Sequence, residues 1–207
     1  MRRQLIAFFL VTLSLCSSTL AHAESSPTTA ASHPSLMLLV DKSRSMADAG
    51  RLEMVKAGIE KFVASIPVDS VNVGLMGFDS APFYVARMQL LNEEAKETLL
   101  RRTKLLFPTG KSSIVPAFDF ARRQIRGPGV MVIVSDGLLR EEERDVISSM
   151  AREASAVGVS VSSIALGKAG VSGLTMIADA GKGASRECRK AEEVEAFLND
   201  VLAKMMK

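Results

Sequence analysis

Two unbroken apolar runs stand out along the chain, Leu36-Met37-Leu38-Leu39-Val40 and Val130-Met131-Val132-Ile133-Val134. Apolar residues in sequence, without alternation, predict strands covered on both faces, as in a parallel sheet between two helical layers. Between the runs the period changes. Leu52, Val55, Ile59, Phe62, Val63 and Ile66 recur at helical spacing. Val71 to Leu75 returns to strand character, and Phe83 to Met88 is expected to pair with it as a hairpin strand. Helices are predicted over Glu93 to Phe107 and Val115 to Ile125, with Gly127-Pro128-Gly129 as a stop.

After the second run, Val146, Ile147, Met150, Ala151, Ala154 and Val157 mark the inner face of a further helix. Glu141, Glu142 and Glu143 occupy its first turn, the favourable sign of charge at a helix N-terminus. Val159 to Leu166 reads as a strand, and Val194, Phe197, Leu198, Val201, Leu202 and Met205 stripe a closing helix. This alternation predicts an α/β fold: a doubly wound, mostly parallel central sheet with helices on both faces and one short antiparallel edge strand. Such sheets bind ligands at the carboxyl ends of their strands, where the strand order switches.

The first residues follow a different logic. Arg2 and Arg3 precede an apolar run from Leu5 to Leu15, and Ala21-His22-Ala23 offers small residues at the two positions a signal peptidase reads. Residues 1–23 are therefore expected to be a secretory signal, too short in its apolar part to span a bilayer. Cys16 sits in a segment like a lipid-attachment box, but Leu15 stands where such boxes carry a small residue. Residues 24–34, rich in Ser, Thr, Ala and Pro, read as a flexible leader, and residues 35–207 as one domain. No second stretch of about 18 apolar residues follows, so no transmembrane segment is expected in the mature chain, which is placed in a periplasm or secreted.

Composition narrows the function. The 207 residues are 47% hydrophobic and 24% charged, values of a globular domain. Of the net charge of +3, Arg2 and Arg3 account for two, and there is no Trp and a single Tyr, so a nucleic-acid partner is not expected. One cysteine, Cys188, remains after the signal; it can form no internal disulfide and reads as a small buried apolar residue. No histidine lies in the domain.

The candidate chemistry lies in three loops. The first apolar strand runs into Asp41-Lys42-Ser43-Arg44-Ser45-Met46, the second into Ser135-Asp136-Gly137, and Thr109-Gly110-Lys111-Ser112-Ser113-Ile114 precedes a helix. Carboxylates and hydroxyls are hard ligands, suited to Mg²⁺, Mn²⁺ or Ca²⁺ rather than to zinc or copper. The D-x-S-x-S spacing fits a tight turn that aims Asp41, Ser43 and Ser45 at one point. Lys42, Arg44 and Lys111 read as solvated flanking charge, and Asp79 as a turn residue. Gly110-Lys111-Ser112 is not a phosphate-binding loop, because Leu105 stands where that pattern needs its first glycine.

These loops resemble those of the von Willebrand factor A domain family, over nearly all of the chain from Ser35 onward. The resemblance implies a metal-ion-dependent adhesion site, with Asp41, Ser43 and Ser45 as its first element and Asp136 as its third. Ser112 stands in the position of the family's threonine, with Ser113 as the neighbouring alternative. It further implies a divalent cation, Mg²⁺ first and Mn²⁺ or Ca²⁺ as alternatives, and a protein partner whose Glu or Asp carboxylate takes the open metal position. The expected function is an exported, metal-dependent interaction module, not an enzyme, in adhesion or in assembly of an envelope complex. The competing readings are a metal-assisted hydrolase, which lacks an evident general base here, and a structural domain with a vestigial site.

Overall fold

The computed structural model describes residues 33–137 and 139–207. The expected signal (1–23) and nearly all of the leader lie outside the described residues. His33 and Pro34, at the leader's end, are held by Asn72, whose side chain and backbone amide donate to their carbonyls.

The chain forms β1 (Ser35–Asp41), a run of tight turns (Arg44–Gly50), α1 (Arg51–Ser65), β2 (Asn72–Phe78), β3 (Pro82–Leu90), α2 (Glu93–Lys104) and α3 (Ile114–Arg122). It continues with β4 (Gly129–Ser135), α4 (Glu141–Ala156), β5 (Val159–Ala165), α5 (Val171–Ala180), β6 (Lys182–Glu187) and α6 (Ala191–Met205). The strand order is β3-β2-β1-β4-β5-β6, with every pair parallel except β2 and β3. β1 lies between β2 and β4, and from it the chain winds first to one edge and then to the other. The loops after β1 and β4 therefore diverge, and a crevice opens between them.

Alternation along β1 feeds two separate cores. Leu36, Leu38 and Val40 join the layer of α1, α2 and α6, while Met37 and Leu39 join that of α3, α4 and α5. β4 does the same, with Val130, Val132 and Val134 on the first side and Met131 and Ile133 on the second. All residues of both strands are buried, as their unbroken apolar runs predict.

Several details differ from the sequence expectations. The antiparallel edge strand β3 is nine residues, the longest in the sheet rather than a short one. α2 ends at Lys104 instead of Phe107: the Leu105 and Leu106 amides close tight turns onto the Arg102 and Thr103 carbonyls, and Pro108 disfavours helical geometry at Phe107. Leu105 and Phe107 are consequently exposed. In α4, Ile147, Ala151 and Ala154 are buried, but Val146 lies off the stripe, and Val157, just past the end of the helix, faces solvent. α5 and β6 carry weak patterns and were not expected. α5 buries a short stripe, Leu174, Ile177 and Ala178, and β6 is a half-exposed polar edge with Ala184 as its sole apolar residue.

Leu38 is fully buried and Val157 is 68% exposed, so the two should respond differently to truncation. Leu38→Ala is expected to cost about 2–5 kcal/mol in urea unfolding, and Val157→Ala less than about 0.5 kcal/mol. A comparable loss at both positions would contradict this assignment of core and surface.

Candidate functional site

The periodicity that builds the two cores also places the first carboxylate. Asp41 follows Met37 and Leu39 on the same face of β1, and Ser135 follows Met131 and Ile133 on the same face of β4. Val40 pairs with Val134, so one further step brings Asp41 beside Ser135. The Ser135 hydroxyl donates to Asp41 Oδ2 at 2.7 Å. Ser112 donates to the same oxygen at 3.1 Å, and the Ser43 amide donates to Oδ1 at 2.7 Å.

Asp41 is completely buried. Burial pushes its carboxyl above the ordinary carboxylate range; the bonds from Ser43 and Ser135 pull the other way, and the charge of Asp136 adds to the rise. The Ser43 and Ser45 hydroxyls stand 3.2 Å apart in the turn that follows. Asp136, 4% exposed, lines the same cleft of about 300 Å³ as Ser43, Ser45 and Ser112. The structure thus brings together the five residues singled out in the sequence. Between the two candidates in the second loop, Ser112 reaches Asp41, while Ser113 starts α3 and spends its amide on the Asp79 carbonyl.

Two glycines allow this convergence. Gly110 has φ +64 and a Cβ there would lie 3.0 Å from the Asp79 side chain. Gly137 has φ +75 and a Cβ would fall 2.2 Å from the backbone of Gly170. A side chain at either position would displace the loop that carries Ser112 or Asp136.

The second loop is held in place by a residue that sequence reasoning placed in solvent. Lys42 is half-buried, with its ammonium on Asp79 at 2.5 Å and also bonded to Thr109. Thr109 donates to the same Asp79 oxygen at 2.6 Å, and the Phe83 and Phe107 rings flank the ammonium. Backbone bonds run in parallel: Thr109 N to Lys42 O at 2.7 Å, Arg44 N to Gly110 O at 3.3 Å, and Ser113 N to Asp79 O at 2.8 Å. Asp79 is therefore more than a turn residue, although its side chain also accepts from the Ala81 amide as an Asx turn would. Burial would raise its carboxyl, but the bonds from Lys42 and Thr109 outweigh it and hold the group at about 2. Arg44 and Lys111 are exposed, as expected.

Arg51 and Arg140 also belong to the site and carried no sequence signal; Ser135 stands in the third candidate loop but was not expected as a site residue. Arg51, at the start of α1, bonds the Ser45 carbonyl at 3.1 Å and Asp136 Oδ2 at 3.4 Å. Arg140 and Glu143 line the cleft as an ion pair at 3.1 Å, and that pairing lowers the Glu143 carboxyl. Cys188 is buried and belongs to the core; burial pushes its thiol up to about 11, the state of an inert packing residue.

The family model for the von Willebrand factor type A domain matches residues 36–138. Calcium-activated chloride channel regulator 1 of Sus scrofa is 27% identical over 134 residues, 63% of this chain and 14% of that protein. The chain thus spans only a small part of the length of this curated relative. BatB of Bacteroides thetaiotaomicron superposes with a TM-score of 0.67 at 19% identity, over 83% of this chain and 98% of that one. The von Willebrand factor domain of the type V pili tip protein Mfa5 of Porphyromonas gingivalis does so with a TM-score of 0.69 at 11% identity, over 84% and 95%. Likeness at these identities establishes the fold.

Because the Asp79 carboxyl lies below its ordinary value of 3.8, its ion pair stabilises the fold fully above about pH 4, and this contribution is lost as pH falls toward 2. Asp79→Asn should therefore be less stable than the wild type at pH 6, with the gap narrowing between pH 4 and pH 2. Urea midpoints of both proteins across that range test this, and a gap independent of pH would refute it.

Proposed function

The chain belongs to the von Willebrand factor type A domain family, and from that premise we propose that it is an exported interaction module that captures a carboxylate of a protein partner through a divalent cation. One observation carries the reading: the hydroxyls of Ser43, Ser45 and Ser112 and the carboxylates of Asp41 and Asp136 converge where β1 and β4 end and their loops part. That donor set is all oxygen and holds two carboxylates, which suits Mg²⁺, Mn²⁺ or Ca²⁺. Asp41, Ser43, Ser45, Ser112 and Asp136 would hold the cation. Once bound, it supplies an electrophilic point that an incoming carboxylate can ligate.

The burial of Asp41 agrees with this role. A carboxyl raised by desolvation makes the ionised form costly in the protein alone, and a cation of opposite charge relieves that cost. Binding, rather than turnover, fits the titratable groups at the cleft. Glu143, a further carboxylate at the cleft, is tied to Arg140 and lowered. Export is supported by the signal pattern of residues 1–23, and no helix among the described residues is long and apolar enough to cross a membrane. A related domain in a pilus tip protein supports work at a cell surface or in an envelope assembly.

Asp41→Asn separates the cation from the fold. At neutral pH without divalent cations the variant should unfold at an equal or higher temperature than the wild type, because a buried charge has been removed. Saturating Mg²⁺ should raise the wild-type melting temperature, by about 2.7 kcal/mol of stability at a hundredfold excess over Kd, and leave the variant unmoved. The wild type immobilised in Mg²⁺ should retain a partner from an envelope extract that EDTA releases and Asp41→Asn fails to hold. A wild type indifferent to Mg²⁺, Mn²⁺ and Ca²⁺ would overturn the cation, and retention unaffected by EDTA would overturn capture through it.

A further inference from the structure

Arg51 places a fixed positive charge beside one of the two carboxylates. Its guanidinium Nη1 lies 3.4 Å from Asp136 Oδ2, 3.1 Å from the Ser45 carbonyl and 3.9 Å from Asp48 Oδ2. On the far side a Cβ at Gly167 would stand 3.7 Å from Nη2, so the guanidinium also lies against the loop that follows β5. One side chain from the first turn of α1 thus touches the loops after β1, β4 and β5. Asp41, by contrast, is bonded by hydroxyls and an amide, none of them charged.

We infer that Arg51 is a built-in competitor of the cation: it serves as counter-ion to Asp136 and thereby sets a weak affinity of the cleft for a divalent ion alone. The inference rests on the cation reading given above. With Asp41 and Asp136 ionised the pair carries two negative charges, and Arg51 leaves a net of one. A divalent ion then turns this group of three side chains plus ion net positive, a state unfavourable until an anion arrives. Occupancy by the ion and capture of a partner's carboxylate are coupled by this arithmetic, and Arg51 sets the strength of the coupling. Without Arg51 the two carboxylates would neutralise the ion, and the cleft would hold metal readily with less need of an anion.

The test uses Mn²⁺ as the probe, titrated by calorimetry into the wild type, Arg51→Gln and Arg51→Lys. Arg51→Gln should bind Mn²⁺ about tenfold more tightly, the size of change expected when a unit charge a few ångströms from the ion is removed at a partly exposed site. Arg51→Lys keeps the charge and should stay near the wild type. Equal or weaker binding by Arg51→Gln, or equal tightening in Arg51→Lys, would overturn the inference while leaving the cation reading intact. A double-mutant cycle of Arg51→Gln with Asp136→Asn, measured as stability in EDTA, gives a second readout without metal. Coupling between the two supports the counter-ion role, and additivity overturns it. If none of the three proteins binds Mn²⁺, the cation reading itself falls and the competition falls with it.

Discussion

A carboxylate with no room for water stands at the end of the central strand. Asp41 is the last residue of β1, on the face that feeds the second core, and its two oxygens are met by the amide of Ser43 and the hydroxyls of Ser112 and Ser135. These groups come from three separate segments: the turn after β1, the loop before α3 and the end of β4. The position of Asp41 follows from the two-residue period of the strand, and its surroundings follow from the parallel pairing of β1 with β4. Around this one group, the architecture of the sheet and the chemistry of the cleft are the same fact.

Such a group is costly, and the loops around it show where that cost is offset. Hydroxyl and amide bonds stabilise the ionised form, but not enough to return its carboxyl to the ordinary range. The surrounding loops are held by interactions that do not involve Asp41. Lys42 points away from it, to Asp79 and Thr109, and the backbone bonds of the same residues link the end of β1, the end of β2 and the approach to α3. A partly buried ion pair with its remaining positions filled by a hydroxyl and two aromatic faces meets the condition under which such pairs hold geometry rather than merely add energy. The site is thus split into a polar centre under electrostatic tension and a neighbouring clamp that is relaxed.

The sheet and the candidate ligands were legible because both follow from local pattern. The runs at Leu36 and Val130 read as doubly covered strands and are so in the structure, and the loops after them inherit their place from that. What escaped has physical reasons. α5 and β6 rest against the edge of the sheet and need only a short apolar stripe and one alanine, too little to register as a period. Lys42 was placed in solvent because a lysine between Asp41 and Ser43 carries no mark of its distant partner, Asp79, brought near by the pairing of β1 with β2. Arg51 begins an amphipathic helix and reads as its polar face; that its side chain turns back over Ser45 to Asp136 depends on the path of the Arg44–Gly50 turns. Charged residues near a site were legible as types and illegible as partners, since ion pairing is decided by tertiary geometry.

The asymmetry between the two carboxylates is the last step of this logic. Asp41 is buried, central and neutralised only by dipoles; Asp136 lies at the wall of the cleft and meets a guanidinium. In the proposed reading, a cation entering between them would gain more from Asp41 than from Asp136, whose charge it would share with Arg51. Charge compensation is therefore graded between the two carboxylates, by dipoles at Asp41 and by a guanidinium at Asp136. With Arg44 and Lys111 exposed at the rim, an anion approaching from solvent meets positive charge before it meets either aspartate. In the proposed reading, that positive rim would guide a partner's carboxylate toward the cation, which is the property an interaction module requires.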